Sequence, residues 1–382
     1  MTLAPGSTLG FLGGGQLGRM TALAARSMGF RVAVLDPDPH CPLAPVADRV
    51  FTAPLHDLET VQRFAEACDV ITYEREDVPA AAAHAIQAST PIFPRHEILT
   101  LVQDRLEQKR WLKAHGFPVA DFVAVGTPQE CQAALEEGRS GFLKTRRGGF
   151  DGRGQARVLS PEGLPEAWST LGHLPCILEA PVPFTRELSI LVVRGQDGAT
   201  LAYPPAENHH TKGVLDWSVL PATLPVAVVR QASALAVRLA EALDLVGVLV
   251  VELFALEDGG LVLNELAPRP HNSYHASERA CTTSQFEQLV RVLCGHPLGS
   301  PEVVQPVAIA NLLGDLWLDS PPPFEAALRE PGIRLHLYGK ALPAPGRKMG
   351  HLSAAGATAN DAVARVVHAR RKLNPDPIEE AS

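Results

Sequence analysis

Between Val246 and Pro268 the chain reads VGVLVVELFALEDGGLVLNELAP, two apolar runs around Glu257-Asp258-Gly259-Gly260. Runs this apolar, joined by four polar or glycine residues, predict an antiparallel hairpin buried within a sheet. A symmetric loop pairs Leu256 with Leu261 and sets Glu252 directly opposite Glu265. Two carboxylates facing each other in an apolar sheet repel and lose solvation. A divalent cation resolves that conflict, and magnesium favours one or two carboxylates together with water and phosphate oxygens. Glu252 and Glu265 are therefore candidate metal ligands. Asn264 adjoins them, although strict alternation aims its side chain at the other face unless a bulge or twist turns it back. Two alternatives stay open: a one-residue slip separates the acids, or a nearby arginine pairs with one of them.

The rest of the chain must supply phosphate contacts if this is so. Phe142–Leu159 reads FLKTRRGGFDGRGQARVL, a strand ending in Lys144, a loop with four glycines and three arginines, and a second strand. Backbone amides of such a hairpin lid can wrap phosphates, with Lys144 as a point charge. No GK[ST] follows, so it is not a Walker loop; a solvated basic hairpin is the bland alternative.

A second glycine loop lies near the N-terminus. Ser7–Asp36, STLGFLGGGQLGRMTALAARSMGFRVAVLD, reads as strand, glycine turn, helix, strand, and Gly13–Gly18 matches G-x-G-x-x-G. Glycines admit a phosphate and the helix N-terminus favours it. Asp36 stands about where a ribose-binding acid sits in dinucleotide folds. Nothing later in the chain supports hydride transfer, so the loop is read as an anion site without NAD, or as glycines for close packing.

These features divide the 382 residues into three parts. Residues 1–97 form an α/β unit that includes a later strand in ACDVITYERE. Residues 98–298 form an α+β domain; it opens with one helix running to Gly116, carries the lid around 144–156, and includes a long helix over Val226–Leu243. Residues 299–382 form a small β-rich domain with a strand at Ile333–Tyr338 and a closing helix over Asp361–Leu373. A net charge of −8 argues against a nucleic-acid surface. No apolar run is long enough to span a membrane, and no leader precedes the first strand. The six scattered cysteines read as reduced thiols of a cytoplasmic protein.

Lys144, the loop Gly148–Gln155 and the Glu252/Glu265 pair together resemble the ATP-grasp superfamily. More narrowly, GGGQLGRM, GGFDGRGQ, ENHHTKGVLDWSVLP, NELAPRPHNS, SQFE and GRKMGHLS, in that order over nearly the whole chain, resemble the N5-carboxyaminoimidazole ribonucleotide synthetase family. That resemblance implies an ATP-grasp fold with a Rossmann-like pre-ATP-grasp domain before it and a small C-terminal domain after it. It implies a carbon–nitrogen ligase of purine biosynthesis. ATP phosphorylates bicarbonate to carboxyphosphate, and 5-aminoimidazole ribonucleotide (AIR) is carboxylated to N5-carboxyaminoimidazole ribonucleotide. It implies ATP and Mg2+, with no NAD and no biotin, a homodimer, and coupling to a mutase that uses the product. Another ATP-grasp carboxylate–amine ligase, or a formate-dependent transformylase, is the alternative.

Carried over residue by residue, the resemblance makes Arg105 and Lys144 phosphate contacts. It makes Gly149, Phe150, Asp151, Gly152, Arg153, Gly154 and Gln155 the lid. Glu179, Ala180, Pro181 and Val182 become the adenine hinge, Glu187 a ribose acceptor and His210 a further ATP contact, with His209 as its bland neighbour. Asn264 and Glu265 close the metal site with Glu252. Gly15, Gln16, Leu17 and Glu74 face AIR, as do Asn272 and Ser273, and Arg269, Arg347 and Lys348 meet bicarbonate and the ribonucleotide phosphate. Asp151, Arg153, Arg269, His271 and Lys348 are the candidate catalytic groups, with His271, His275, Asp151 and the departing phosphate as possible acceptors of the amine proton. Two positions depart from the family: Phe150 stands where a tyrosine is usual, and Tyr274 where a glycine is usual. Tyr274 is then either strained or a replacement for the missing hydroxyl.

Overall fold

The computed structural model describes residues 2–149, 153–318 and 320–373. Four short apolar segments, Thr8–Leu12 (β1), Arg31–Asp36 (β2), Arg49–Thr52 (β3) and Val70–Tyr73 (β4), make a parallel sheet in the order β3-β2-β1-β4. Helix Gln16–Ser27 crosses from β1 to β2, so the glycine turn sits at the carboxyl end of β1, where open α/β sheets bind ligands.

A second, antiparallel sheet is built from Phe122–Val125 (β5), Gly141–Thr145 (β6), Gln155–Val158 (β7) and Cys176–Glu179 (β8), in the order β5-β8-β6-β7. The glycine lid joins β6 to β7, and Lys144 faces Gln155 at the mouth of that hairpin.

The third sheet organises the molecule. It contains Phe184–Arg194 (β9), Thr200–Ala202 (β10), Ala206–Thr211 (β11), Val214–Leu220 (β12), Gly247–Leu256 (β13), Leu261–Ala267 (β14), Val307–Leu313 (β15), Ile333–Leu337 (β16) and Lys348–Ala355 (β17). Its path is β14-β13-β9-β11-β12-β15-β17-β16, with β10 on the side of β9. The segment after residue 298 therefore extends the central sheet, with Trp217–Leu220 laddered to Val307–Ala310. One face of the central strands packs on helix Val226–Ala242 through Leu188, Ile190, Val251, Leu235 and Leu239.

Two local expectations change. The predicted single helix before Gly116 is two, His96–Val102 and Arg105–Ala114. Asp104 breaks it by capping the second: its Oδ1 accepts from the amides of Leu106 and Glu107 at 3.1 and 3.3 Å. In the hairpin, Leu261 faces Ala255 rather than Leu256. The turn is tighter than a symmetric four-residue loop, because the Leu256 amide donates to Gly260 O at 2.9 Å and that of Gly259 to Leu256 O at 3.1 Å. A bulge at Asn264 then restores the register, so Glu252 still faces Glu265.

Candidate active site

The bulge shapes the acidic half of the site. One extra residue on β14 puts two residues opposite one and bends the strand. Asn264 is thereby turned onto the face of the two acids, with its amide Nδ2 3.4 Å from Glu252 Oε2. His271 Nε2 lies 3.6 Å from Glu252 Oε1. The Ser273 amide donates to His271 Nδ1 at 3.4 Å, which leaves the ring proton on Nε2, toward Glu252. Burial, and then the charge of Glu265, push the Glu252 carboxyl up to about 7, against the opposing pull of His210 and Lys348. Burial also holds His271 neutral, far below the usual histidine value, helped by Arg269 and Lys348. Two facing carboxylates with the Asn264 amide beside them form a hard-oxygen donor set that fits magnesium.

The cationic half faces it. Arg105, the first residue of its helix, donates through Nη2 to Gly149 O at 2.8 Å, and the same nitrogen is 3.4 Å from Glu265 Oε1. It thus joins the base of the lid to the strand that carries Glu265. Asp104 holds Arg146 through two hydrogen bonds, at 2.9 and 2.7 Å, fixing the other side of that base. Gly154 takes a positive φ of 68°, and a Cβ there would lie 2.6 Å from Thr145 Oγ1, so only glycine closes this loop. Phe150, Asp151 and Gly152 lie outside the described residues. Arg153 is exposed at the lid, and Gln155 begins the strand that returns from it.

Lys144 Nζ sits 2.9 Å from Glu179 Oε2. Lys109, which sequence reasoning missed, approaches the same carboxylate at 3.6 Å and donates to Leu263 O at 3.2 Å. It is 2 % exposed. Its signal was available: it follows Arg105 by four residues, one helical turn along the same face. Burial favours a neutral Glu179, but the two lysines outweigh it and hold the carboxyl below its usual range. Burial in turn lowers Lys109 despite Glu179. After Glu179 the chain leaves the sheet; Ala180 and Val182 are half-buried and Pro181 exposed.

His210 Nδ1 is 2.7 Å from Glu187 Oε2 across β11 and β9. Burial disfavours its charge, yet Glu187 and Glu252 more than offset that and raise it. A bulge between His209 and His210 separates the neighbours, and His209 stacks on Trp217 at 5.1 Å. Of the two, it is His210 that lies beside Glu187 and within the field of Glu252.

On the N-terminal side, the Gly15 amide donates to Glu74 Oε1 at 2.9 Å. A Cβ on Gly15 would lie 2.4 Å from that oxygen, so a side chain there would displace the carboxylate. The anion at the start of this helix, where Gln16 and Leu17 follow, is therefore the chain's own carboxylate. Burial pushes Glu74 up to about 7, opposed by the Gly15 amide and Arg269. Asp36 accepts from the Gly14 amide at 2.7 Å and from Asp38 at 2.8 Å; it ties the turn together. Arg269 Nε pairs with Glu76 Oε1 at 2.8 Å. Asn272 is 5 % exposed, and neither atom of its amide finds a partner among the described residues. Ser273 is buried, with Oγ 2.9 Å from His271 Nδ1. Arg347 is exposed and donates to Leu342 O at 2.7 Å, while Lys348 is half-buried on β17 and acts electrostatically on Glu252 and His271.

Tyr274 corrects an expectation. Among the described residues it is not one of those with positive φ, so the backbone is unstrained there. Its ring is fully buried, and its hydroxyl lies 2.8 Å from Pro204 O and 3.1 Å from Ser189 O. A hydroxyl engaged by two backbone carbonyls in the core cannot replace one missing from the lid. His275 likewise lies behind the site, its ring stacked at 4.9 Å on His351.

Family models match the chain in three stretches. The ribonucleotide synthetase preATP-grasp domain covers residues 7–103, the ATP-grasp domain 110–286, and the phosphoribosylaminoimidazole carboxylase C-terminal domain 307–365. An N5-carboxyaminoimidazole ribonucleotide synthase of Bacillus subtilis is 42 % identical over 353 residues, 91 % of each chain. The crystal structure of an N5-carboxyaminoimidazole ribonucleotide synthetase in its ADP complex superposes with a TM-score of 0.91 at 39 % identity, covering 97 % of both chains. The Aspergillus clavatus N5-carboxyaminoimidazole synthase in complex with ADP and 5-aminoimidazole ribonucleotide superposes with 0.89 at 31 % identity, over 97 % of this chain and all of that one.

Proposed function

This chain belongs to the N5-carboxyaminoimidazole ribonucleotide synthase family of ATP-grasp ligases, and from that premise we propose how its residues divide the ATP-dependent carboxylation of AIR in purine biosynthesis. The observation that carries the reading is the Arg105 bridge. One guanidinium touches both the lid base at Gly149 and the metal-ligand acid Glu265, so phosphate, lid and cation are organised by one side chain.

Bicarbonate attacks the terminal phosphorus of ATP, ADP leaves, and carboxyphosphate forms. The AIR amine then takes the carboxyl group, directly or as carbon dioxide, phosphate departs, and the proton lost from the amine passes to that phosphate or to a neighbouring base. The difficulty is one anion attacking another, so fixed positive charge in a dry site supplies most of the help. Arg105 and Lys144 hold the ATP phosphates, and Gly149–Gln155 closes over them. The stretch Glu179–Val182 flanks adenine, and the His210–Glu187 pair meets the ribose. Lys144 must exchange Glu179 for phosphate when ATP enters. Magnesium, held by Glu252 and Glu265 with Asn264 beside them, would polarise the transferred phosphoryl group.

On the opposite side, Arg269 and Lys348 hold bicarbonate and the AIR phosphate, with Arg347 as a further cation. Glu74 accepts from the AIR ribose. Asn272 offers its unmatched donor and acceptor to the same nucleotide. His271 directs Nε2–H at Glu252 and so orients that ligand. On the same premise we infer a cytoplasmic homodimer whose product passes to a mutase; a light-scattering mass of one chain would remove the dimer. Among the described residues no helix is long and apolar enough to cross a membrane.

The deciding experiment measures phosphate release from Mg-ATP in bicarbonate buffer, with and without AIR, for wild type and Glu265→Gln. AIR should stimulate the wild type, and the variant should lose roughly 100-fold or more. Absent stimulation with ATP still bound would reject AIR as acceptor and favour another carboxylate–amine ligase or a transformylase.

A further inference from the structure

Away from the ATP site, three possible ligand groups converge where the C-terminal strands meet the loop that follows Arg269. His336 on β16 and His351 on β17 are direct antiparallel partners, and their rings stack at 5.1 Å and 13°. Glu278, in the short helix Ser277–Ala280, reaches toward them, with Oε2 4.0 Å from His336 Nδ1. One ligand atom from each of the three lies within 4.8 Å of the others. Tyr338 OH is 3.0 Å from His351 Nδ1. A hydrogen bond at the ring nitrogen that does not ligate is the kind of support that metal-bound imidazoles receive.

We propose that Glu278, His336 and His351 form a second metal site, one for a borderline transition ion such as Zn2+ or Co2+ rather than for Mg2+. Two imidazoles and one carboxylate match that class of ion, and a fourth position is left for water. Ligand atoms around tetrahedral zinc stand about 3.3 Å apart, so separations of up to 4.8 Å close by at most about 1.5 Å as the two near-parallel imidazoles turn their in-plane lone pairs toward one ion. Glu278 and His336 are each partly exposed, at 36 % and 26 %, which gives the ion an entry path, while His351 is anchored at 2 %.

The surroundings agree with this choice. Behind the cluster, His275 is 2 % exposed, and its Nε2 finds no partner among the described residues. An ion here would tie the C-terminal strands to the segment carrying Arg269 and His271.

The test titrates the untagged protein with Co2+ in excess Mg2+ and follows the visible bands of low-coordinate cobalt. One equivalent should bind, and Zn2+ should displace it. His336→Gln and Glu278→Gln, both at partly exposed positions, should each weaken binding tenfold or more, while Glu265→Gln should leave it unchanged. Absent cobalt bands would overturn the proposal, as would equal affinity in His336→Gln or loss of binding in Glu265→Gln instead. Circular dichroism and melting of each variant separate ligand loss from misfolding.

Discussion

Glu74 shows how a single carboxylate can face two ways. It accepts from the Gly15 amide of the glycine turn and also lies within the field of Arg269. Burial raises it from the ordinary 4.5 to about 7. The folded chain therefore holds the proton more tightly than the unfolded one. Its stabilising contribution is complete below about pH 4.5 and is lost as pH rises through about 7. Glu252 and Glu278 are raised in the same direction, so the wild-type urea midpoint should fall over this range. Glu74→Gln should make the fall shallower; an unchanged slope would mean that Glu74 ionises freely. Lys109 teaches a different lesson at this scale. A lysine 2 % exposed is not legible from composition, because lysines are seldom buried unless paired, and its partner Glu179 lies 70 residues away in sequence.

At the level of elements, the break at Asp104 matters more than the helix it interrupts. The residue caps Arg105–Ala114 and grips Arg146 at the lid base. Asp104→Ala should cost about 1–2 kcal/mol for the cap, read from urea unfolding, and should also raise KM for ATP. Thr358→Ala removes a comparable cap at Ala359–Arg371, in the C-terminal segment; it should show a stability loss with KM unchanged. Equal KM values in both variants would reduce Asp104 to a cap. The hairpin was legible for a mixed reason. Its apolar runs predicted β13 and β14, but the expected loop was off by one residue, and the bulge at Asn264 compensated. Turn chemistry and bulges depend on local hydrogen bonds that hydrophobic alternation does not encode.

Across the whole molecule, the central sheet joins parts that the sequence separates. β15 ladders onto β12, and Val219, Ala308, Ala310 and Leu352 share one core with helix Ala359–Arg371. A chain ended at residue 298 should expose the β12 edge and this apolar face, and exposed edges template aggregation. It should elute as aggregate; a monodisperse, ATP-binding fragment would show the last segment to be dispensable. Apolar periodicity and glycine loops determined the parallel N-terminal sheet, the lid hairpin and the acid-bearing hairpin, because each depends on neighbours within a few tens of residues. The ordered motifs determined the family, and with it ATP and AIR. What the tertiary structure decided was which groups meet. Glu74 came to Gly15, Lys109 to Glu179, Lys348 into the field of Glu252 on β13, and the Tyr274 hydroxyl went to the core. Those outcomes turn on burial and on charge at distances of a few ångströms between residues far apart in the chain, and one-dimensional pattern carries neither.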